Sequence, residues 1–297
     1  MDLVNLLIAP LDLGFFVRAL AAGALIGTVC AVVGTYVVLK GLAFIGDAVS
    51  HAAFPGVVAA FILQGPYLVG AAIAAVTTAI GIGYVSRRAR IRVDTAIGVL
   101  FAGMFALGIF MFSTIRGYVG DLFSFLFGYL LAISPGDLVA LAILSAIVLA
   151  IVAVFWKELL YSTFDPLGAA ASGLPVERVE YLFLALIAVT IVISLQAVGI
   201  ILVVAMLVTP AATAQLLTVR FSAMMGIAIV VAVGSVIGGL YLSFWLDVAS
   251  GATIVLVQTG LFLLTLALGP RTGLLARRHG RRRAGRGPRA GTIEGVA

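Results

Sequence analysis

Two ionisable residues, Asp47 and His51, lie four positions apart inside one of the apolar segments of this chain. Residues at i and i+4 project from the same face of a helix, so the carboxylate and the imidazole would lie side by side. Burying such groups in hydrocarbon is costly unless they line a cavity or bind something. One imidazole nitrogen and one or two carboxylate oxygens suit zinc, manganese or ferrous iron. The pair therefore predicts a site for a divalent metal ion.

A second interpretation of the pair stays open at this point. His51 could simply hydrogen-bond a neighbouring helix, or Asp47 itself, without binding an ion. His51 is one of two histidines in the chain, and the other, His279, lies in an arginine-rich tail. A lone intramembrane histidine with an acid one turn away favours the metal site. Starting the span at residue 42, the helical rise puts His51 roughly 14 Å in, near mid-membrane. Pro55 and Gly56, one turn further on, can kink that helix.

The composition predicts an all-α polytopic membrane protein. Of the 297 residues, 63% are hydrophobic and only 10% are charged, and the mean hydropathy is +1.27. A soluble domain is roughly half apolar and about a quarter charged. The N-terminus has no basic segment followed by a cleavage site, so no signal peptide is expected. The single cysteine, Cys30, excludes an internal disulfide and argues against a thiolate metal site.

We expect eight or nine transmembrane helices, because nine apolar segments have about the 20 residues that cross a bilayer. The segments are 14–39, 42–63, 66–86, 95–115, 137–156, 179–197, 198–219, 223–246 and 252–269. Residues 181–219 form one long apolar run, which we divide near Gln196 and Gly199. The segment 122–134 is too short to span and is predicted to be a re-entrant or half helix.

Basic residues orient these helices, because loops rich in lysine and arginine stay in the cytoplasm. If the chain starts outside the cell, all of its main basic residues lie on the cytoplasmic side. They are found at residues 87–92, 157, 178, 220 and 271–289. Residues 1–13 are then extracytoplasmic and 14–270 form the transmembrane domain. Residues 271–297 would be a disordered cytoplasmic tail, attracted to anionic lipid headgroups. An arginine-rich tail can also indicate binding to nucleic acid, but nucleic acid is not an expected partner for a membrane protein.

The longest internal cytoplasmic loop covers residues 157–178. It is expected to be either a plain connector or a short helix that lies along the membrane. Other polar residues within the spans are weaker candidates. Gln196, Thr209, Thr213 and Gln215 are more typical of helix packing, and Pro210 is expected to break its span. Asp247 is expected to be solvated at an outer helix end. Asp94 is expected to pair with the neighbouring arginines.

Catalysis by this chain is not expected. It has no His-Glu-x-x-His pair, and no glutamate lies in the middle of a span, so a zinc protease would lack its base. It has no Gly-x-x-x-x-Gly-Lys-Ser/Thr motif, so it has no ATPase site of its own. What remains is ligand handling. One copy supplies too few ligands for a tight site, but two copies on a two-fold axis would supply two carboxylates and two imidazoles.

Three motifs in register resemble the permease subunits of metal-type ABC importers, which take up zinc, manganese or iron. The first is residues 46–56, which contain Asp47 and His51, and the third is residues 198–214. The second consists of Phe164, Asp165, Pro166, Gly173, Leu174 and Pro175. The order and spacing cover the chain from about residue 14 to residue 270.

The resemblance implies a homodimer in the bacterial inner membrane. Its implied partners are cytoplasmic ATP-binding subunits and an extracytoplasmic metal-binding protein that delivers the ion. Asp47 and His51 would be transient metal ligands, with no permanently bound cofactor, and the motif at residues 164–175 would couple the permease to the ATPase. Residues 167–171, Leu-Gly-Ala-Ala-Ala, are smaller and less charged than the family pattern.

The leading hypothesis is therefore the membrane subunit of an ATP-driven importer of divalent metal ions, working by alternating access at a homodimer interface. Two alternatives remain open from the sequence. One is a proton-coupled or channel-like metal carrier that uses the same pair as a relay. The other is a membrane scaffold without transport of its own. The choice among zinc, manganese and iron also stays open.

Overall fold

The computed structural model describes residues 9–115, 128 and 130–269, and every regular element within them is helical. The helices are α1 (Gly14–Leu39), α2 (Ile45–Ala52), α3 (Phe54–Ile62), α4 (Tyr67–Ala89), α5 (Val93–Ser113), α6 (Pro135–Val154), α7 (Trp156–Phe164), α8 (Pro166–Ala171), α9 (Val176–Leu217), α10 (Phe221–Leu246) and α11 (Ser250–Leu268). Short 3-10 turns occur at Ala9–Asp12 and Leu130–Ala132.

The predicted spans are confirmed to within three residues at each end. Over the described residues, eight helical stretches are long and apolar enough to cross a membrane, with α2 and α3 together forming one of them. The predicted re-entrant segment at 122–134 falls mostly outside the described residues, as do the first eight residues and the tail from residue 270.

Helix α9 has 42 residues and folds back on itself at Gly199. Gly199 has φ 76° and ψ 171°, a conformation that is essentially restricted to glycine. Tyr36 of α1 packs against Phe183 before the break, whereas Gly34, two residues away, packs against the backbone of Leu207 after it. A straight helix would separate residues 183 and 207 by about 36 Å. The predicted division near Gly199 is therefore correct, and α9 supplies two spans.

The prediction that Pro210 breaks its span is wrong. Within α9 the only non-helical backbone is at Gly199, and the helix continues through Pro210 to Leu217. Proline removes one backbone N–H, and a membrane helix tolerates that loss where neighbouring helices pack around it. Pro210 is buried, and Ala211 and Ala214 beside it belong to a small-residue cluster with Ala31 of α1.

Helices α1 and α9 form the centre of the bundle and are largely buried. Helices α2 to α5 pack on one side of this centre, and α10 and α11 pack on the other. Helices α5, α6 and α11 are the most exposed of the spans, so their apolar surfaces would face lipid or another subunit.

Candidate metal site

The accessible surface of α2 is formed by the two residues that the sequence singles out. Six of its eight residues are buried, and the two that are not are Asp47 and His51. Their side chains are 52% and 28% exposed, respectively, so an ion could reach both. Neighbouring helices α9 and α5 cover the other faces of α2. The fold therefore directs this carboxylate and this imidazole away from the protein core and side by side.

The distance within the pair fits two ligands of one ion better than a hydrogen bond. His51 Nε2 lies 3.6 Å from Asp47 Oδ1, which is longer than a normal hydrogen bond. Two ligand atoms that each lie about 2.1 Å from a common metal ion are about 3.0 Å apart when the ligand–metal–ligand angle is a right angle. At the tetrahedral angle they are about 3.4 Å apart. The pair is thus slightly more open than either arrangement. A small closing movement would let both atoms bind one ion.

The backbone after the pair is interrupted, as the sequence predicts. Helix α2 ends at Ala52 and α3 begins at Phe54, with Pro55 in its first turn. Because Pro55 has no N–H, it cannot donate the usual i→i−4 hydrogen bond to the carbonyl of His51. Measured from Ile45, the rise of the helix places His51 about 9 Å along it.

The pair has no third protein ligand within the part of the chain that the structure describes. No group of three or more histidine, cysteine, aspartate or glutamate side chains there is close enough to hold a metal ion. Cys30 is buried on α1 beside Ser194, with 3.6 Å between Sγ and Oγ, and so belongs to the core. The described residues of one copy therefore offer two ligands at this pair, half of a four-coordinate sphere.

The weaker candidates do not join the pair. Thr213 donates a hydrogen bond to the carbonyl of Thr209 at 2.7 Å and so satisfies backbone, as the sequence suggested. Gln196 and Gln215 are exposed, and Asp247 is exposed at the end of α10. Asp94 pairs with Arg92 at 3.5 Å on the surface, which confirms that prediction.

Sequence reasoning missed two residues that contact the site. The ring of His51 lies edge-to-face against Phe101 and Phe105 of α5, with centroids 5.4 and 5.2 Å apart. These phenylalanines are four residues apart, so they share one face of α5. That spacing was visible in the sequence, but nothing in it showed that α5 would pack against α2.

The predicted coupling residues form the two ends of a short helix, α8. Asp165 caps its N-terminus, because Oδ1 accepts a hydrogen bond from the N–H of Gly168 at 2.8 Å, and Pro166 occupies its first turn. At the other end Gly173 has φ 88°, and the N–H of Leu174 bonds the carbonyl of Ala169. This is a Schellman motif, for which glycine is the favoured residue.

The remaining coupling residues connect α8 to the bundle. Phe164, at the end of α7, is 60% exposed and packs against Phe221 of α10, with ring centroids 6.2 Å apart. Pro175 directly precedes α9. The short helix proposed for this loop is therefore present, and α7 is a second one that the sequence did not indicate.

A cluster of charges holds α4 against α9 beside this segment. Arg87 of α4 forms ion pairs with Glu177 and Glu180 of α9, and its guanidinium lies 5.4 Å from the centre of the Tyr181 ring. Lys40, just after α1, lies 5.6 Å from the centre of the Phe183 ring. Burial lowers the pKa of Lys40, and the positive charge of Arg87 lowers it further.

Comparisons with known proteins now identify the family. Residues 12–269 match the ABC 3 transport family. The chain belongs to this family of ABC transporter permeases. It is therefore a multi-pass membrane subunit of a metal-type ABC transporter, as the three motifs indicated.

Individual relatives agree over nearly the whole chain. The chain is 46% identical, over 90% of its length and 91% of the relative, to the manganese transport system membrane protein MntC of Halalkalibacterium halodurans. It is 39% identical, over 93% of its length and 94% of the relative, to the chelated iron transport system membrane protein YfeC of Yersinia pestis. A chain of PsaBC from Streptococcus pneumoniae, solved in complex with Fab, superposes with a TM-score of 0.81 at 34% identity, covering 93% of this chain and all of that one.

Proposed function

We propose that two copies of this chain form the membrane pathway of an ATP-driven importer of manganese or iron. The observation that carries the proposal is the accessible face of α2, which consists of Asp47 and His51 and of no other residue. Similarity to transport proteins named for manganese and for iron favours these ions over zinc, which the sequence left open.

The half-filled coordination sphere supports a homodimeric site. Such an ion takes about four to six ligands, and the described residues of one copy bring together one imidazole and one carboxylate. A second copy related by a two-fold axis would double this set to two imidazoles and two carboxylates, with water completing the sphere. A site shared between two subunits is also easily weakened when they separate. Transport requires such weakening, because an ion that is held too tightly is not released.

We infer that ATP-binding subunits act on α7, α8 and the start of α9, on the cytoplasmic side. Leu167 of α8 is 83% exposed, and Phe164 connects the same segment to Phe221 of α10. Movement of this segment would therefore reach both α9 and α10. An extracytoplasmic metal-binding protein would deliver the ion at the opposite end. Alternating access would then open the site to one side of the membrane at a time.

Uptake of Mn²⁺ into proteoliposomes tests this function. The vesicles contain the chain and its ATP-binding subunit, with ATP on the cytoplasmic side, and the imported metal is measured by elemental analysis. We expect ATP-dependent uptake that His51→Ala abolishes while the complex still assembles, as judged by size-exclusion chromatography. His279→Ala is the matched control, because it removes the other histidine of the chain and should leave uptake unchanged.

Uptake without ATP would favour the channel-like or proton-coupled alternative. Normal uptake by an assembled His51→Ala complex would contradict the proposed metal site. A complex that moves neither manganese nor iron would contradict the transport function itself.

A further inference from the structure

The imidazole of His51 is held by aromatic rings, whereas metal-binding histidines are usually held by a hydrogen bond. Within the described residues no hydrogen bond to His51 satisfies normal geometry, and the carboxylate of Asp47 lies 3.6 Å from its Nε2. A histidine that binds a metal through one ring nitrogen usually donates the other N–H to a carboxylate, a carbonyl or water, which fixes the ring. Other contacts must therefore fix the orientation of this ring.

Phe101 and Phe105 on the neighbouring helix α5 provide these contacts. Their rings meet the imidazole at interplanar angles of 65° and 77°, and they are nearly parallel to each other, at 12° with centroids 6.0 Å apart. Edge-to-face contact is a favoured geometry for aromatic rings, because the positive edge of one meets the negative face of the other. Two such contacts from consecutive turns of one helix restrict both side-chain torsions of His51.

Further packing keeps this arrangement in place. Phe105 also contacts Phe54 at the start of α3, with ring centroids 6.3 Å apart. Gly108, one turn further along α5, lies so close to Pro55 that a β-carbon there would be 3.1 Å from the proline ring. Helix α5 is therefore closely packed against the interruption that follows His51. A movement of α5 that displaced the two phenylalanines would also disturb this contact.

We propose that Phe101 and Phe105 are positioning residues that hold the His51 imidazole with Nε2 directed at Asp47, ready to share one ion. This inference rests on the proposed function, because it assigns these residues a role in the same metal site. We call these two phenylalanines the aromatic clamp. With the clamp intact, the ion meets two ligands already arranged for it. Without the clamp, binding must also order the imidazole, and affinity falls. The effect should therefore appear in the concentration of metal that is needed, and not in the rate at saturation.

The test is the initial rate of Mn²⁺ uptake by the complete complex as a function of metal concentration. For Phe105→Leu we expect the apparent KM to rise about 10-fold, the lower end of the effect of removing a partner that orients a metal ligand. The maximal rate and the yield of assembled complex should change less than about two-fold. Phe105→Tyr, which keeps the ring, should restore a wild-type KM. Phe110→Leu is the control on the same helix, because Phe110 is 69% exposed and, among the described residues, the ring contacts of His51 are with Phe101 and Phe105.

A wild-type KM for Phe105→Leu and for the double variant Phe101→Leu/Phe105→Leu would overturn the clamp. So would a fall in maximal rate and assembly at constant KM, which would assign the rings to packing alone. Failure of the clamp is distinguishable from failure of the proposed function. In the first case the wild-type complex still imports manganese, and in the second it does not.

Discussion

The Asp47–His51 pair and the Arg87 cluster differ in how completely their polar atoms are used. Arg87 forms ion pairs with Glu177 and Glu180, and the ring of Tyr181 covers its guanidinium. Each of these three charges therefore has an internal partner. Asp47 and His51 stand 3.6 Å apart without a hydrogen bond between them, on an accessible face of α2.

This difference distinguishes charges that join two helices from charges that are proposed to bind an ion. Ionisable side chains inside a membrane domain are stable when they have partners, and the partners of Arg87 join two helices. The pair on α2 has no close partner among the described residues, and in the proposed site a ligand would supply the missing interactions. The comparison therefore predicts opposite effects of mutation. Changes to the pair should remove transport and spare stability, and changes to the cluster should do the reverse.

The largest effect is expected for Asp47→Asn. The amide has the same shape as the carboxylate but has lost its negative charge, so it would be a much weaker ligand in the proposed site. Manganese uptake by the reconstituted complex should fall by about 100-fold or more, because even outer partners of metal ligands contribute 10- to 100-fold. The melting temperature should fall only slightly, since within the described residues Asp47 makes no hydrogen bond and its stabilising interaction is with the dipole of α2, in whose first turn it lies. Asp247→Asn, at an exposed helix end, is the control and should change neither quantity.

A large fall in melting temperature with Asp47→Asn would contradict the comparison. The carboxylate would then be a structural partner of His51, as in the alternative interpretation of the pair.

The next effect is expected for Arg87→Gln. Partly exposed ion pairs contribute about 0–1 kcal/mol each, and a cation–π contact contributes about 0.5–1 kcal/mol at an exposed site. The complex should therefore melt a few degrees lower, while the apparent KM for manganese stays within about two-fold. Adding 1 M salt should reduce the difference in melting temperature, because salt screens the ion pairs of the wild type. Arg88→Gln is the control, because Arg88 is an exposed neighbour that takes part in none of the ion pairs found among the described residues.

A rise in KM with unchanged melting temperature would show that Arg87 belongs to the transport pathway. The distinction between the two regions would then fail at the cluster.

The sequence predicts the spans and the pair for the same physical reason. A bilayer requires about 20 apolar residues for each crossing and penalises each ionisable group within them, so both features are local properties of the chain. The break at Gly199 was predictable because one continuous run was too long for a single crossing. Both ends of α8 were also predictable, since Asp165 and Pro166 are typical of the start of a helix and Gly173 is typical of its end.

The contacts between distant segments could not be predicted in this way. With 18 phenylalanines in the chain, no pattern indicates that Phe101 and Phe105 meet His51. Likewise, Arg87 lies among four arginines, and its partners are about 90 residues away along the chain. The helical path through Pro210 depends on packing against α1, which the local sequence does not encode. These features follow from the tertiary arrangement and required the structure.

The smallest effect is expected for Arg92→Gln, which tests whether burial makes the difference between charge pairs. Arg92 and Asp94 lie 3.5 Å apart, close to the distance within the pair on α2. Asp94 is nearly as exposed as Asp47, but Arg92 is 87% exposed whereas His51 is 28% exposed. Water already satisfies both groups, so neither stability nor an ion depends on their contact. Melting temperature and manganese uptake should both match the wild type within error. Asp94→Asn should have a slightly larger effect, because Asp94 lies in the first turn of α5 and interacts favourably with the helix dipole. If Arg92→Gln lowered the melting temperature as much as Arg87→Gln, proximity alone would explain the cluster. The interhelical partners of Arg87 would then not be what distinguishes it.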